Sequence, residues 1–204
     1  MSALPTAAHM QCNDSKDLED GKMSKVYVFL ADGFEEIEGL TVVDILRRAG
    51  IDTDMVSIMD TRRITGAHKI QVEADSMFDD HDYADADLLV LPGGMPGTLH
   101  LKEHEGVRAL LSQFDSSGRR IAAICAAPSI LGEAGMLKNK KACSYPSFEE
   151  KLDCKEVVRT PFVTDGHITT GRGMGAAIPF ALELTSLLCG KEKSDEISRS
   201  IVYG

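Results

Sequence analysis

Arg120-Ile121-Ala122-Ala123-Ile124-Cys125-Ala126-Ala127-Pro128-Ser129 is an apolar run of strand length that stops at a cysteine. Two alanines follow, then a proline, which can open a helix but does not sit well inside one. This order predicts a sharp strand-to-helix turn with the thiol at its apex. The small residues are needed because such a turn leaves no room for side chains near the backbone. The logic is that of a nucleophile elbow with cysteine as the attacking group. A thiol placed there faces unpaired backbone N–H groups and the positive end of a helix dipole, so its pKa is expected to be lowered. Cys125 is therefore the first candidate catalytic residue.

The segments around the elbow alternate between strand and helix. Lys25–Leu30 is β-branched and aromatic, and Ala31-Asp32-Gly33-Phe34 breaks it. A helix is expected from Glu36 to Ala49, closed by Gly50. On it Glu38, Val42, Ile45 and Ala49 share one face, so a carboxyl group heads an apolar stripe and should point inward. Glu35 and Glu36 have the ordinary explanation of acidic residues at a helix start, and Asp44 and Arg48 make a surface pair.

Thr53–Ile58 reads as a second strand, Met59–His68 as a hairpin or excursion, and Ile70–Glu73 as a half-buried strand. Asp75–Asp87 is acidic and loop-like, with Met77, Phe78 and Tyr83 packing inward. Leu88–Leu91 is a continuous apolar strand, typical of the centre of a parallel sheet. It runs into Pro92-Gly93-Gly94-Met95-Pro96-Gly97, a tight turn with exposed backbone whose successive glycine N–H groups can form an anion-binding concavity. Helical spacing returns over Val107–Phe114 and ends at Gly118.

After Cys125 a short helix stops near Gly132 or Gly135. Lys141–Tyr145 is a brief strand, Ser147 caps a turn through Leu152, and Val157-Val158 and Phe162–Thr164 are strand-like. Asp165-Gly166 predicts a hairpin that returns through His167–Thr170. Gly171-Arg172-Gly173-Met174-Gly175 leads into a last amphipathic helix, Ala176–Leu188, with Pro179 in its first turn. Residues 1–22 read as a disordered tail or cloning remnant, 23–190 as one α/β domain, and 191–204 as a tail or short helix of the same domain. Alternating strands and helices with short connections argue for a doubly wound, mostly parallel sheet with helices on both faces. Ligands bind such sheets beyond the carboxyl ends of the strands. There Glu38, Gly93-Gly94 and Cys125 arrive together.

Composition excludes several classes. With a net charge of −10 the chain is unsuited to nucleic acid or anionic membranes, and no apolar run approaches the ~18 residues of a membrane span. Five cysteines without a CxxC pair or a secretory leader suggest a reduced, cytoplasmic protein, with Cys143 and Cys189 as buried small hydrophobes and Cys154 exposed. His68, His100, His104 and His167 show no metal-ligand spacing, so no metal is expected.

Four stretches, ADGFEEIEGLTVVDILRRAG (31–50), LVLPGG (89–94), AAICAAP (122–128) and GRGMG (171–175), together resemble the ThiJ/PfpI superfamily, and within it the DJ-one-like branch of glyoxalase and deglycase-like proteins. The resemblance implies a flavodoxin-like fold, a homodimer packed through the first-helix region, and no metal or organic cofactor. It implies that Cys125 is the nucleophile and Glu38 its hydrogen-bonding acid. Gly93, Gly94 and Ala126 would supply the oxyanion site, with Tyr145, Arg48 (across the dimer) and Gly173 around the pocket. The substrates implied are small α-oxoaldehydes such as methylglyoxal, or early glycation adducts. One departure matters. Ala126 and Tyr145 stand where other branches carry a histidine, which weighs against a PfpI-type protease and leaves Glu38 to move the proton. A redox sensor whose cysteine is oxidised to sulfinic acid, a chaperone and a ThiJ-type thiazole role are the alternatives. Arg172 is read as support for the glycine loop.

Overall fold

A computed structural model describes residues 23–204. The expected N-terminal tail lies outside the described residues. The chain runs β1 (Lys25–Leu30), α1 (Glu36–Arg48), β2 (Asp52–Ser57), β3 (Arg63–Thr65), β4 (Gln71–Glu73), β5 (Ser76–Met77) and β6 (Leu88–Leu91). It continues through α2 (Gly97–Glu103), α3 (Glu105–Ser117), β7 (Arg120–Ile124), α4 (Pro128–Glu133), β8 (Lys141–Ala142) and β9 (Glu156–Val157). β10 (Phe162–Asp165), β11 (Ile168–Gly171), α5 (Ala177–Cys189) and α6 (Lys191–Ser200) complete it.

Seven strands form the central sheet in the order β10-β11-β7-β6-β1-β2-β5. Every pair is parallel except β10 with β11, the hairpin that turns at Asp165-Gly166. From β1 the chain winds outward to β2 in one direction and, from β6, in the other. The switch point therefore lies between β1 and β6, where a doubly wound sheet opens a crevice at its carboxyl edge.

Alternation along each strand divides the core. Tyr27 and Phe29 pack with Leu89, Leu91 and Ile121 against Phe114 of α3 and Leu131 of α4. Val26, Val28 and Leu30 point the other way, with Val90 and Ile124, against α1 and Phe180 and Leu184 of α5. The apolar stripe of α1 is realised: Val42 and Ala49 are fully buried and Ile45 nearly so, and Glu38 lies on the same face with no exposure. α1 ends at Arg48 with Ala49 as its cap, one residue short of the expected end, and Gly50 takes φ +79° just beyond it.

Some elements differ from expectation. α2 emerges directly from the glycine-proline turn, so its start was hidden in residues that read as loop. β5 is a two-residue edge strand, too short to leave a pattern. Residues 191–204 form α6, which packs on α5 through the buried Ile197. Cys143 is fully buried as expected, but Cys189 is only half-buried, at the end of α5, and is disulfide-bonded, so the reading of it as a buried thiol is corrected.

Glu36 needs the largest correction. It is 3% exposed and is no surface dipole residue. One carboxylate oxygen accepts the N–H groups of His68 (2.8 Å) and Ile70 (3.3 Å), and the other lies 3.0 Å from Nδ1 of His68. The carboxylate thus ties the turn of the β3–β4 hairpin to the start of α1. Burial opposes its ionisation, but its own N–H, the His68 ring and the two loop N–H groups outweigh that and hold its pKa below the usual value. Replacing Glu36 by Ala leaves these donors unmet and is expected to lower unfolding stability by about 1–3 kcal/mol in urea denaturation. An unchanged stability would show that the hairpin does not depend on this anchor.

Candidate active site

The elbow follows the sheet edge. Ile124 ends β7, Cys125 takes φ +65°, and Pro128 opens α4. Neighbouring strands hold the turn: the Cys125 N–H donates to the Gly171 carbonyl (2.9 Å), and the Cys125 carbonyl accepts the Tyr145 N–H (2.8 Å). Ala126 and Ala127 are buried, while Cys125 itself is half-buried.

Glu38 approaches from α1 and Gly93 from the turn after β6. The Gly93 N–H donates to Oε2 of Glu38 (2.9 Å). A Cβ on Gly93 would lie 2.6 Å from Cβ of Cys125 and 2.7 Å from Oε2 of Glu38, so only glycine fits between them. Gly94, at φ +91°, turns the chain back, and its N–H and that of Ala126 face the Cys125 sulfur. The three expected oxyanion donors therefore divide. Gly93 is committed to Glu38, and Gly94 with Ala126 remains for charge at the sulfur or on a bound substrate.

The second carboxyl oxygen of Glu38, Oε1, is buried and has no hydrogen-bond partner among the described residues. Burial raises the Glu38 pKa to about 7, helped by the charge of Glu35, while hydrogen bonding from the Cys125 thiol and the Gly93 N–H acts the other way. Burial, and then the charge of an ionised Glu38, push the Cys125 thiol up to about 12, and the N–H groups of Ala126 and Gly94 pull it down. The lowered thiol pKa expected from helix position alone thus meets two opposing forces. One comes from Glu38 and disappears when Glu38 carries a proton. A proton on Oε1 would also give that bare oxygen a use, as a donor toward sulfur. The two groups are best treated as a pair sharing one negative charge.

Tyr145 and Gly173 line a cavity of about 450 Å³ beside the elbow, with Arg159, Arg172 and Met174. Arg48 does not line it; its Nε pairs with Asp44 at 2.6 Å on the exposed side of α1. The histidines are dispersed in structural roles. His104 accepts the Val107 N–H at the start of α3, and His167 meets Asp115 at 2.8 Å. Glu35, Glu36 and His68 do bring ligand-type atoms within 4.8 Å of one another. There Glu36 already spends its oxygens on the hairpin, so the cluster works as the anchor described above.

The DJ-1/PfpI family model matches residues 24–187. The chain belongs to that family. It is 40% identical to the DJ-1 homolog A of Arabidopsis thaliana over 85% of its own length, and spans 45% of that relative. It thus covers less than half of the Arabidopsis relatives it matches. It is 31% identical to the deglycase TK1284 of Thermococcus kodakarensis, over 80% of this chain and 99% of that one. The oxidised DJ-1 of Toxoplasma gondii superposes with a TM-score of 0.85 at 32% identity, covering 89% and 99% of the two chains. The flavodoxin-like, doubly wound architecture is therefore the DJ-1/PfpI fold.

Two measurements test the pair. A raised Glu38 pKa means the native state keeps this proton from pH 4.5, the ordinary value, up to about 7, where the unfolded chain has lost it. Stability from this group is complete below pH 4.5 and falls as pH rises to 7, by roughly 2–4 kcal/mol. Glu38→Gln should flatten that slope in denaturation series at pH 5 and 8; a slope identical to the parent's refutes the assignment. In the second, Glu38→Leu removes the donor but keeps the burial, so the pH midpoint of Cys125 alkylation should rise by about one unit or more. A falling midpoint would mean that Glu38 sits beside the sulfur as a carboxylate.

Proposed function

We propose that the protein is a cysteine-dependent, cofactor-independent glyoxalase or deglycase acting on methylglyoxal-type α-oxoaldehydes or early glycation adducts. The observation that carries this reading is the bare, buried Oε1 of Glu38 beside a half-exposed cysteine on a left-handed elbow. An acid and a nucleophile are held together where a small carbonyl compound can reach them.

The Cys125 thiolate attacks the aldehyde carbon. A C–S bond forms, and the carbonyl π electrons move to oxygen, which the Gly94 and Ala126 N–H groups stabilise while Glu38 supplies the proton. The Glu38 carboxylate then takes the hydrogen from the former aldehyde carbon as a proton, giving an enediol, and returns it to the neighbouring carbon. The former aldehyde carbon is now a thioester at the acid level, and the ketone carbon has become an alcohol. Oxidation and reduction balance within the substrate, so no outside electron acceptor is needed. Water cleaves the thioester to a 2-hydroxy acid and restores the thiolate. With a glycation adduct, a hemiaminal at the same carbon, the C–N bond breaks as the C–S bond forms and the amine leaves with a proton from Glu38, giving the same hemithioacetal before hydrolysis. The identity to a relative named as a deglycase supports this reading.

The same partly open sulfur supports a second role. Peroxide would oxidise the thiolate to sulfenic and then sulfinic acid, each step reducing one peroxide to water, and a protonated Glu38 would donate to the product. A relative whose solved structure is described as oxidised favours keeping this reading. We further take the protein to be a cytoplasmic homodimer assembled through α1, on which Ile37 is half-exposed; Arg48 would then act across the interface.

A paired assay separates the roles. Cys125→Ala should lower conversion of methylglyoxal to lactate roughly a thousandfold, and Glu38→Gln by about 10²–10⁴. Consumption by Cys125→Ala at the parent's rate would remove the enzyme reading. Mass spectrometry of the Cys125 peptide after mild peroxide, in a parent that turns nothing over, would instead favour the sensor.

A further inference from the structure

Arg172 follows β11 directly. β11 pairs with β7 up to Gly171 and Ile124, so Arg172 leaves the sheet at the same edge as Cys125, whose N–H donates to the Gly171 carbonyl (2.9 Å). The Arg172 backbone is fixed by an N–H bond to the Pro161 carbonyl (2.9 Å). Its side chain is not fixed in this way. Nε is shielded from solvent without a partner, and the guanidinium makes no hydrogen bond or ion pair among the described residues. An arginine that merely braced a loop would spend its donors on carbonyl groups, as Arg47 does on Thr53 with two of its nitrogens.

The surroundings define what is missing. Arg172 lines the cavity of about 450 Å³ with Arg159, Tyr145 and Met174. Arg159 is neutralised by Glu149, whose two oxygens lie 2.9 and 3.3 Å from it. Tyr145 and Met174 stand half-exposed at the mouth and give it apolar walls. Tyr145 is also bonded through its N–H to the Cys125 carbonyl (2.8 Å), which joins the cavity wall to the elbow. The charge of Arg172 also acts on Glu149, so two guanidinium groups share one carboxylate and this cavity keeps one positive charge in excess in a chain of net charge −10.

We infer that Arg172 is a specificity-determining residue that binds a carboxylate at the far end of the α-oxoaldehyde substrate. The guanidinium fork matches a carboxylate with two parallel donors. One positive charge in excess, from two guanidinium groups against the Glu149 carboxylate, suits a single negative charge rather than a phosphate dianion. The methylene chain between carboxylate and aldehyde would lie along Tyr145 and Met174. This narrows the substrate class of the proposed reaction and rests on that reading.

The test compares γ,δ-dioxovalerate, an oxoaldehyde with a terminal carboxylate, with its neutral methyl ester. The parent should favour the acid by about tenfold or more in kcat/KM, Arg172→Gln should erase that ratio, and Arg172→Lys should restore part of it. Equal use of acid and ester by the parent, or a preference that survives Arg172→Gln, overturns the inference. Should no oxoaldehyde be turned over, the proposed reaction fails and calorimetry still decides the subsite. Unreactive levulinate should bind the Cys125→Ala protein, its methyl ester should not, and adding Arg172→Gln should abolish binding; any other pattern is negative. If Arg172→Gln does not fold, Arg172→Lys takes its place, and retention of the full acid-to-ester ratio is then the overturning result.

Discussion

A carboxyl group buried with only one of its two oxygens satisfied is the constraint around which the carboxyl edge of this sheet is built. Glu38 reaches Gly93 through Oε2 and leaves Oε1 bare. To hold it there, α1 must present it in line with Val42 and Ile45. The turn after β6 must have no side chain at position 93, and β7 must end so that Cys125 closes the remaining side. A buried, half-paired carboxyl is unfavourable for folding and useful for chemistry, because it holds a proton at a pH where an exposed glutamate would have lost it.

Three charged residues near this edge form a series. Glu36 is buried and fully bonded, and it holds a hairpin. Glu38 is buried and half bonded, and it faces the nucleophile. Arg172 is half-buried, its side chain makes no hydrogen bond among the described residues, and it lines a cavity. The fewer internal partners a charge has, the more of its interaction energy is left for something from outside. That ordering divides scaffold from chemistry from recognition using only the hydrogen-bond inventory.

Much of this was legible in the sequence. The run ending at Cys125 and the stripe containing Glu38 are written in periodicity, and periodicity is what decides which face of an element is buried. The glycines at 93 and 94 were legible as a turn, but not the division of their N–H groups, which depends on where a helix from another part of the chain delivers its carboxylate. Glu36 was misread because a first-turn glutamate has a good local explanation, and its partners lie 32 and 34 residues away. Arg172 was read as support for the glycine loop, and its side chain gave the sequence nothing further to read. Its meaning lies in contacts it lacks, and a missing contact leaves no trace in a sequence. α2 was lost because its first residues double as the end of a turn.

The backbone at Cys125 sits in a region that every side-chain-bearing residue enters at a cost of roughly 1–2 kcal/mol and glycine enters freely. The flanking alanines show that the surroundings tolerate minimal side chains, so conformation alone favours the residue with none. Keeping sulfur at this position means that the folded state forgoes an easily available gain in stability. The elbow is therefore a place where durability and reactivity pull in opposite directions, and the chain resolves the conflict in favour of reactivity.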